Sequence, residues 1–216
     1  MPYRNQSMIR RGINRLHETL RRNKDAYPAL SSILPLVTER RNSVNETWQH
    51  YQSSAVSGDK EREERDTAVG ILMSWIQEWR PVTFMLVPGA SQNVHTLPAG
   101  GTTTDDVIRV ADDLSKFIKT NEAAAQFRES AFSQLGDKLK HARKENREAV
   151  GALPKETSAR DLYSGACEAA NTVLVKGSEV VRSVFGRTSP EYKQFIIRNT
   201  NEEEEEITSE STLGEE

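Results

Sequence analysis

Four histidines, one cysteine and a set of regularly spaced carboxylates are the residues through which this sequence could do chemistry. The histidines lie far apart: His17 beside a run of arginines, His50 and His141 in two long helical patterns, His95 in a stretch rich in Pro, Gly, Ser and Thr. His50 follows Glu46 by four residues, and His141 follows Asp137 by four and precedes Glu145 by four, so each imidazole shares a helix face with an acid. Two helices that each offer a histidine and a carboxylate form a possible metal-ligand set of Glu46, His50, Asp137, His141 and Glu145. A carboxylate-bridged di-metal centre needs Glu-x-x-His on two helices, and that pattern is absent from the sequence. The neighbouring Lys138, Lys140, Arg143, Lys144 and Arg147 read instead as a solvated face with ion pairs four residues apart. A metal- or small-ligand-binding helical enzyme is therefore the alternative reading, and no cofactor or metal is expected.

Nucleophilic chemistry finds less support. Cys167 stands in Ala166-Cys167-Glu168-Ala169 within a helical pattern, where a small buried residue is the ordinary role of a thiol. No Gly-x-Ser-x-Gly elbow occurs. Residues 99–104 (AGGTTT) have the composition of a phosphate-cradling loop but not its Gly-Lys-Ser/Thr ending, and Asp105 and Asp106 would repel an anion there. No catalytic residue is nominated, and the expected protein is not an enzyme.

The elements that would position these residues are helical. Ile9, Ile13, Leu16 and Leu20 mark one face of a helix from about residue 7 to 22, capped by Ser7 or Gln6 and with arginines opposite. After Tyr27-Pro28, a pattern through Val37, Val44, Trp48 and Tyr51 is expected to end at Gly58. A third helix carries Val69, Leu72, Ile76 and Trp79 and stops at Pro88-Gly89. Beyond a linker, Val107, Ala111, Leu114 and Ile118 define a short helix capped by Thr104 or Asp105. A long helix from about 122 to 150 is expected to break at Pro154, and a last one runs from a Thr157 or Ser158 cap to Gly186.

A single ungapped offset of 98 residues lays Ile9 on Val107, Ile13 on Ala111, Leu16 on Leu114 and Leu20 on Ile118. It continues with Val37 on Leu135, Val44 on Ala142 and Ile76 on Leu174. The expected fold is all-α: an antiparallel helical bundle of two similar units, each a short helix plus a long helical hairpin. The expected organisation is unit 1 at 1–91, a linker at 92–104, unit 2 at 105–198 and a disordered acidic tail at 199–216, with both units packed as one domain of four long helices. Aromatics concentrate in the first unit (Trp48, Tyr51, Trp75, Trp79, Phe84), and their repeat counterparts are smaller, as complementary packing requires.

Composition limits the remaining classes. One cysteine excludes an intramolecular disulfide and a thiolate-built zinc site, and a reducing, cytoplasmic location is expected. Apolar runs such as residues 82–87 fall far short of the roughly 20 needed to cross a bilayer. No secretory leader is expected at the N-terminus, where arginines precede no apolar run.

Charge is concentrated at the two ends. Residues 1–24 hold seven bases (Arg4, Arg10, Arg11, Arg15, Arg21, Arg22, Lys24) and one acid, whereas residues 202–216 hold eight acids and no base, among them Glu202, Glu203, Glu204, Glu205 and Glu206. Those arginines and glutamates are the candidate interaction residues. They favour contact with a protein, most simply another copy of the chain. Nucleic acid is not expected, because stacking aromatics are missing from the basic face apart from Tyr3. A peripheral membrane contact through the basic helix ranks third.

The segment Val184-Phe185-Gly186-Arg187-Thr188-Ser189-Pro190-Glu191-Tyr192 resembles the closing segment of uncharacterised bacterial helical proteins. The resemblance implies a bacterial source and carries no function with it. The expectation from all these features is a structural or protein-interaction helical bundle that self-associates through its charged termini.

Overall fold

A computed structural model describes residues 5–94, 96–98 and 102–195. Every element among them is helical: α1 (Gln6–Asn23), α2 (Pro28–Leu86), α3 (Ala90–Asn93), α4 (Thr104–Thr120), a 3-10 turn (Glu122–Ala124), α5 (Ala125–Phe185) and α6 (Pro190–Lys193). The protein is all-α in this range, and no described helix is long and apolar enough to cross a membrane.

Local chemistry accounts for most boundaries. Asn5, rather than Ser7 or Gln6, caps α1, its Oδ1 accepting from the Ser7 backbone N–H at 2.9 Å. Thr103 caps α4 through a capping box in which its hydroxyl and backbone N–H meet Asp106, one residue earlier than the sequence suggested. Pro28 opens α2, where its missing N–H costs nothing. Gly89 and Gly186, at φ of 76° and 89°, follow the ends of α2 and α5 in the left-handed region that a side chain disfavours.

The interior of the long helices departs from expectation. Four long helices were expected, but Gly58 lies inside α2 and Pro154 inside α5, so there are two, of 59 and 61 residues. Neither Thr157 nor Ser158 caps a helix, and residues 173–184 are helical throughout. A helical glycine costs about 1 kcal/mol and a proline about 3. Burial of Val44 and Ala68 on either side of Gly58, and of Ala149 and Ala159 on either side of Pro154, offsets penalties of that size. At the crossing itself Arg62 of α2 meets Glu156 of α5 at 3.0 Å, and a Cβ on Gly58 would stand 3.0 Å from that same carboxylate.

The chain forms two compact units, each holding one half of α2 and one half of α5: Met1–Trp48 with Leu162–Glu216, and Gln49–Asp161. In the first, α1 buries Ile9, Gly12, Ile13, Leu16, Thr19 and Leu20. Two glycines let α1 and α5 approach closely, Gly12 lying under Leu174 and Gly177 under Leu16. Tyr27 meets Phe185 edge-on at 5.0 Å, and Trp48 meets Tyr163 at the same distance, so the early part of α2 runs antiparallel to the late part of α5. In the second unit, α4 buries Val107, Val110, Ala111, Leu114 and Ile118. There the buried Trp75 donates its Nε1–H to the Ala131 carbonyl at 3.0 Å, and Trp79 stacks on Phe127. Arg128 ties α5 to the end of α4 by donating to the carbonyls of Ile118 and Asn121.

Candidate functional site

Two groups of charged side chains in the described residues have an arrangement that goes beyond solvation. The first is the polar face of α1. Because Ile9, Ile13, Leu16 and Leu20 are all docked inward, Arg11, Arg15, Arg21 and Arg22 are exposed on the outside of the helix. Arg10 is half-buried instead, its guanidinium 4.5 Å from the centre of the Trp48 ring, where it fastens α1 to α2. Glu18 accepts from Arg21 at 3.1 Å and from Arg22 at 2.8 Å, and these two hydrogen bonds pull its carboxyl down to about 2. His17 is held below its ordinary range, first by burial and then by the charge of Arg41.

The last described residues lie against this helix. Ser189 caps α6 by accepting from the Tyr192 N–H, with Pro190 at the first helical position and Glu191 in the first turn. Gln194 donates to the Thr19 hydroxyl at 2.8 Å, and Phe195 is buried. A shallow cavity of about 430 Å³ remains there, bordered by Arg15, Glu18, Arg22, Glu191 and Gln194. Arg4 and Glu202, Glu203, Glu204, Glu205 and Glu206, also nominated from sequence, lie outside the described residues, as does His95.

The second group is acidic and belongs to the other unit. Glu61 on α2 and Glu145 and Glu148 on α5 bring carboxylate oxygens within 4.8 Å of one another. Glu145 is 3% exposed, and its Oε2 is buried without a hydrogen-bond partner, as is Glu61 Oε2. The other oxygen of Glu145 accepts from Lys144 Nζ at 2.9 Å and lies 3.3 Å from His141 Nδ1. Lys144 also reaches Glu148 at 2.9 Å. These contacts hold the Glu145 carboxyl below, and the Lys144 ammonium above, their ordinary values, so both are charged at neutral pH. An open cavity of about 610 Å³ beside the cluster is lined by Ser53, Ser54, Ser57, Glu61, Glu148 and Lys155, among others.

Of the five metal-ligand candidates named from sequence, the structure joins His141 to Glu145. Glu46, His50 and Asp137 are exposed and stand outside the converging carboxylates, with Glu46 and His50 falling in different compact units. Glu61 and Glu148 were missed, and Lys144 was read only as part of a solvated face. The signal available for Glu148 was its three-residue step from Glu145, which puts both on one helix face but which the surrounding lysines and arginines mask. Cys167 is buried near the Gln6 carbonyl, and burial raises its thiol pKa, consistent with a packing role. Compared with known proteins, the chain matches no family model, no curated protein and no solved structure.

Proposed function

We propose that the chain is a duplicated helical scaffold acting through protein contacts, and that it self-associates by pairing the arginine face of α1 with the glutamate tail. The observation that carries this reading is the way α1 is docked. Its apolar face is satisfied inside the unit, while Arg11, Arg15, Arg21 and Arg22 remain exposed as a basic strip. The closing residues are tied to that strip through Gln194 and Thr19. Six residues lie between Phe195 and Glu202 in the sequence, so the acidic run follows closely on the segment that packs against α1. On this reading the tail meets the basic surface of α1. At high protein concentration it exchanges that surface for the equivalent one on a neighbour, which makes the contact between copies concentration-dependent.

Duplication supports the scaffold reading. Shifted by 98 residues, α1 and α2 fall on 104–121 and 126–184, against observed helices at 104–120 and 125–185. Burial follows the same offset: Val37 and Leu135, Val44 and Ala142, Leu72 and Ala170, Ile76 and Leu174, and Trp79 and Gly177 are buried pair by pair. On this reading each compact unit combines the first helix and a half of one repeat with the closing half-helix of the other. Neither repeat then completes a core alone, a design that suits an architectural protein.

Sedimentation velocity across a salt series tests the proposal. Association at 20 mM salt that weakens by 300 mM, and is lost when residues 202–216 are removed, is the expected result, with the change of salt shortening the Debye length from roughly 20 to 6 Å. A monomer at low salt and high concentration sinks it.

A further inference from the structure

From the convergence of Glu61, Glu145 and Glu148 beside an open cavity, we infer a binding site for a hard divalent cation of the size of Ca²⁺. Three carboxylates within 4.8 Å of one another repel unless a cation lies between them. Lys144 supplies part of that positive charge, bridging one oxygen of Glu145 and one of Glu148 at 2.9 Å each. It leaves the job incomplete. Glu145, with a side chain 4% exposed, keeps its second oxygen buried and unpartnered, and so does Glu61 across the helix pair. An oxygen that has lost its water and gained no donor is costly, and a metal ion is the partner that satisfies several such oxygens at once.

The donor chemistry selects the class of ion. All three ligands are carboxylate oxygens, which suit Ca²⁺, Mg²⁺ or Mn²⁺ and not a thiolate-seeking metal. The three oxygens lie within 4.8 Å of one another, close enough for one Ca²⁺ with contacts of about 2.4 Å to reach all of them. Ca²⁺ also tolerates an irregular ligand sphere, and the adjoining cavity, with Ser53, Ser54 and Ser57 on its wall, has room for the waters that complete it. Lys155 borders the same cavity and, with Lys144, opposes cation entry. Three carboxylates facing these basic groups place the affinity at the weak end for Ca²⁺ sites, about 10⁻⁴ M.

The site joins α2 to α5 within one unit, near the crossing of Arg62 and Glu156, so occupation cross-links the two helices and displaces the Lys144 ammonium. Isothermal titration of the chelator-treated full chain with CaCl₂ in 150 mM NaCl, a concentration that screens weak surface binding, tests this. The expected result is one saturable site, accompanied by a rise in Tm. Glu61→Gln and Glu148→Gln should each weaken it about tenfold, Lys144→Met should strengthen it, and Glu129→Gln, exposed elsewhere on α5, should leave it within twofold. Glu148 is exposed, so its variant folds even if changes at Glu145 do not. Absence of saturable binding up to 10 mM, or binding indifferent to Glu61→Gln and Glu148→Gln, overturns the site. Tighter binding of Mg²⁺ or Mn²⁺ than of Ca²⁺ overturns the assignment of the ion. Neither result bears on association through the charged termini.

Discussion

Replacing Gly177 by alanine would put a methyl carbon 2.5 Å from Leu16 Cδ2 and 3.4 Å from Cδ1. Carbon atoms settle at about 3.5 to 4.0 Å, so the overlap is about 1 Å or more. Leu16 is completely buried, so its side chain cannot swing into solvent; α1 must slide outward or Leu16 must adopt a poorer rotamer. Overpacking of this kind costs about 1 to 3 kcal/mol, and the alanine recovers about 1 kcal/mol of helix propensity. The net expectation is a loss of about 1 kcal/mol, whereas an unencumbered Gly→Ala change in a helix would stabilise. Leu16→Ala by itself should cost about 2 to 5 kcal/mol by leaving a cavity. In the double variant the new methyl enters the space that Leu16 vacates, so the combined loss should fall at least 1 kcal/mol short of the sum. Urea unfolding of the wild type, both single variants and the double variant measures this coupling. Additivity within about 0.4 kcal/mol, or stabilisation by Gly177→Ala alone, would refute the claim that glycine is required for close approach of α1 to α5. Gly12 under Leu174, where a Cβ would be 2.6 Å from Cδ2, repeats the contact with the partners exchanged and should behave alike.

The depressed Glu18 carboxyl gives a pH signature. Its folded pKa of about 2, against 4.5 for the free group, means that the stabilisation from Arg21 and Arg22 is complete above about pH 4.5 and is lost as pH falls toward 2. Thermal melts of wild type and Glu18→Gln should therefore converge as the pH drops through that window; parallel curves would show that the clamp contributes nothing. Cutting the chain between α3 and α4, into residues 1–98 and 99–216, tests the exchange of half-helices. Mixed fragments should recover helical circular dichroism and co-purify, whereas a fragment 1–98 that melts cooperatively as a monomer would contradict the repeat reading. Salt-dependent association and Ca²⁺ titration supply the two remaining tests, each with its own refuting result.

The faces of the short helices were legible because a period of 3.6 leaves a plain trace over four turns. Ile9, Ile13, Leu16 and Leu20, and their counterparts Val107, Ala111, Leu114 and Ile118, are buried as their spacing requires. Stops at Gly89 and Gly186 were equally readable, since both adopt positive φ. Gly58 and Pro154 misled because the penalty of a breaker is local, while the burial that outweighs it is spread over residues whose partners lie about 100 positions away. The site was less legible than the fold. His141 and Glu145 could be paired from their spacing, but Glu61 lies 84 positions before Glu145, and nothing in a charged run distinguishes an acid that solvent covers from one that a neighbouring helix covers.

By itself the sequence determined an all-α chain, the inward faces of its helices, and the opposition of basic and acidic ends, all of which follow from residue type and short-range periodicity. Tertiary structure decided that Gly58 and Pro154 are passed over without a break. It also decided that the late part of α5 completes the unit containing α1, and that three carboxylates from two helices share one spot. Each of these depends on which distant side chain removes water from a given residue, and long-range burial of that kind leaves no mark in the local pattern.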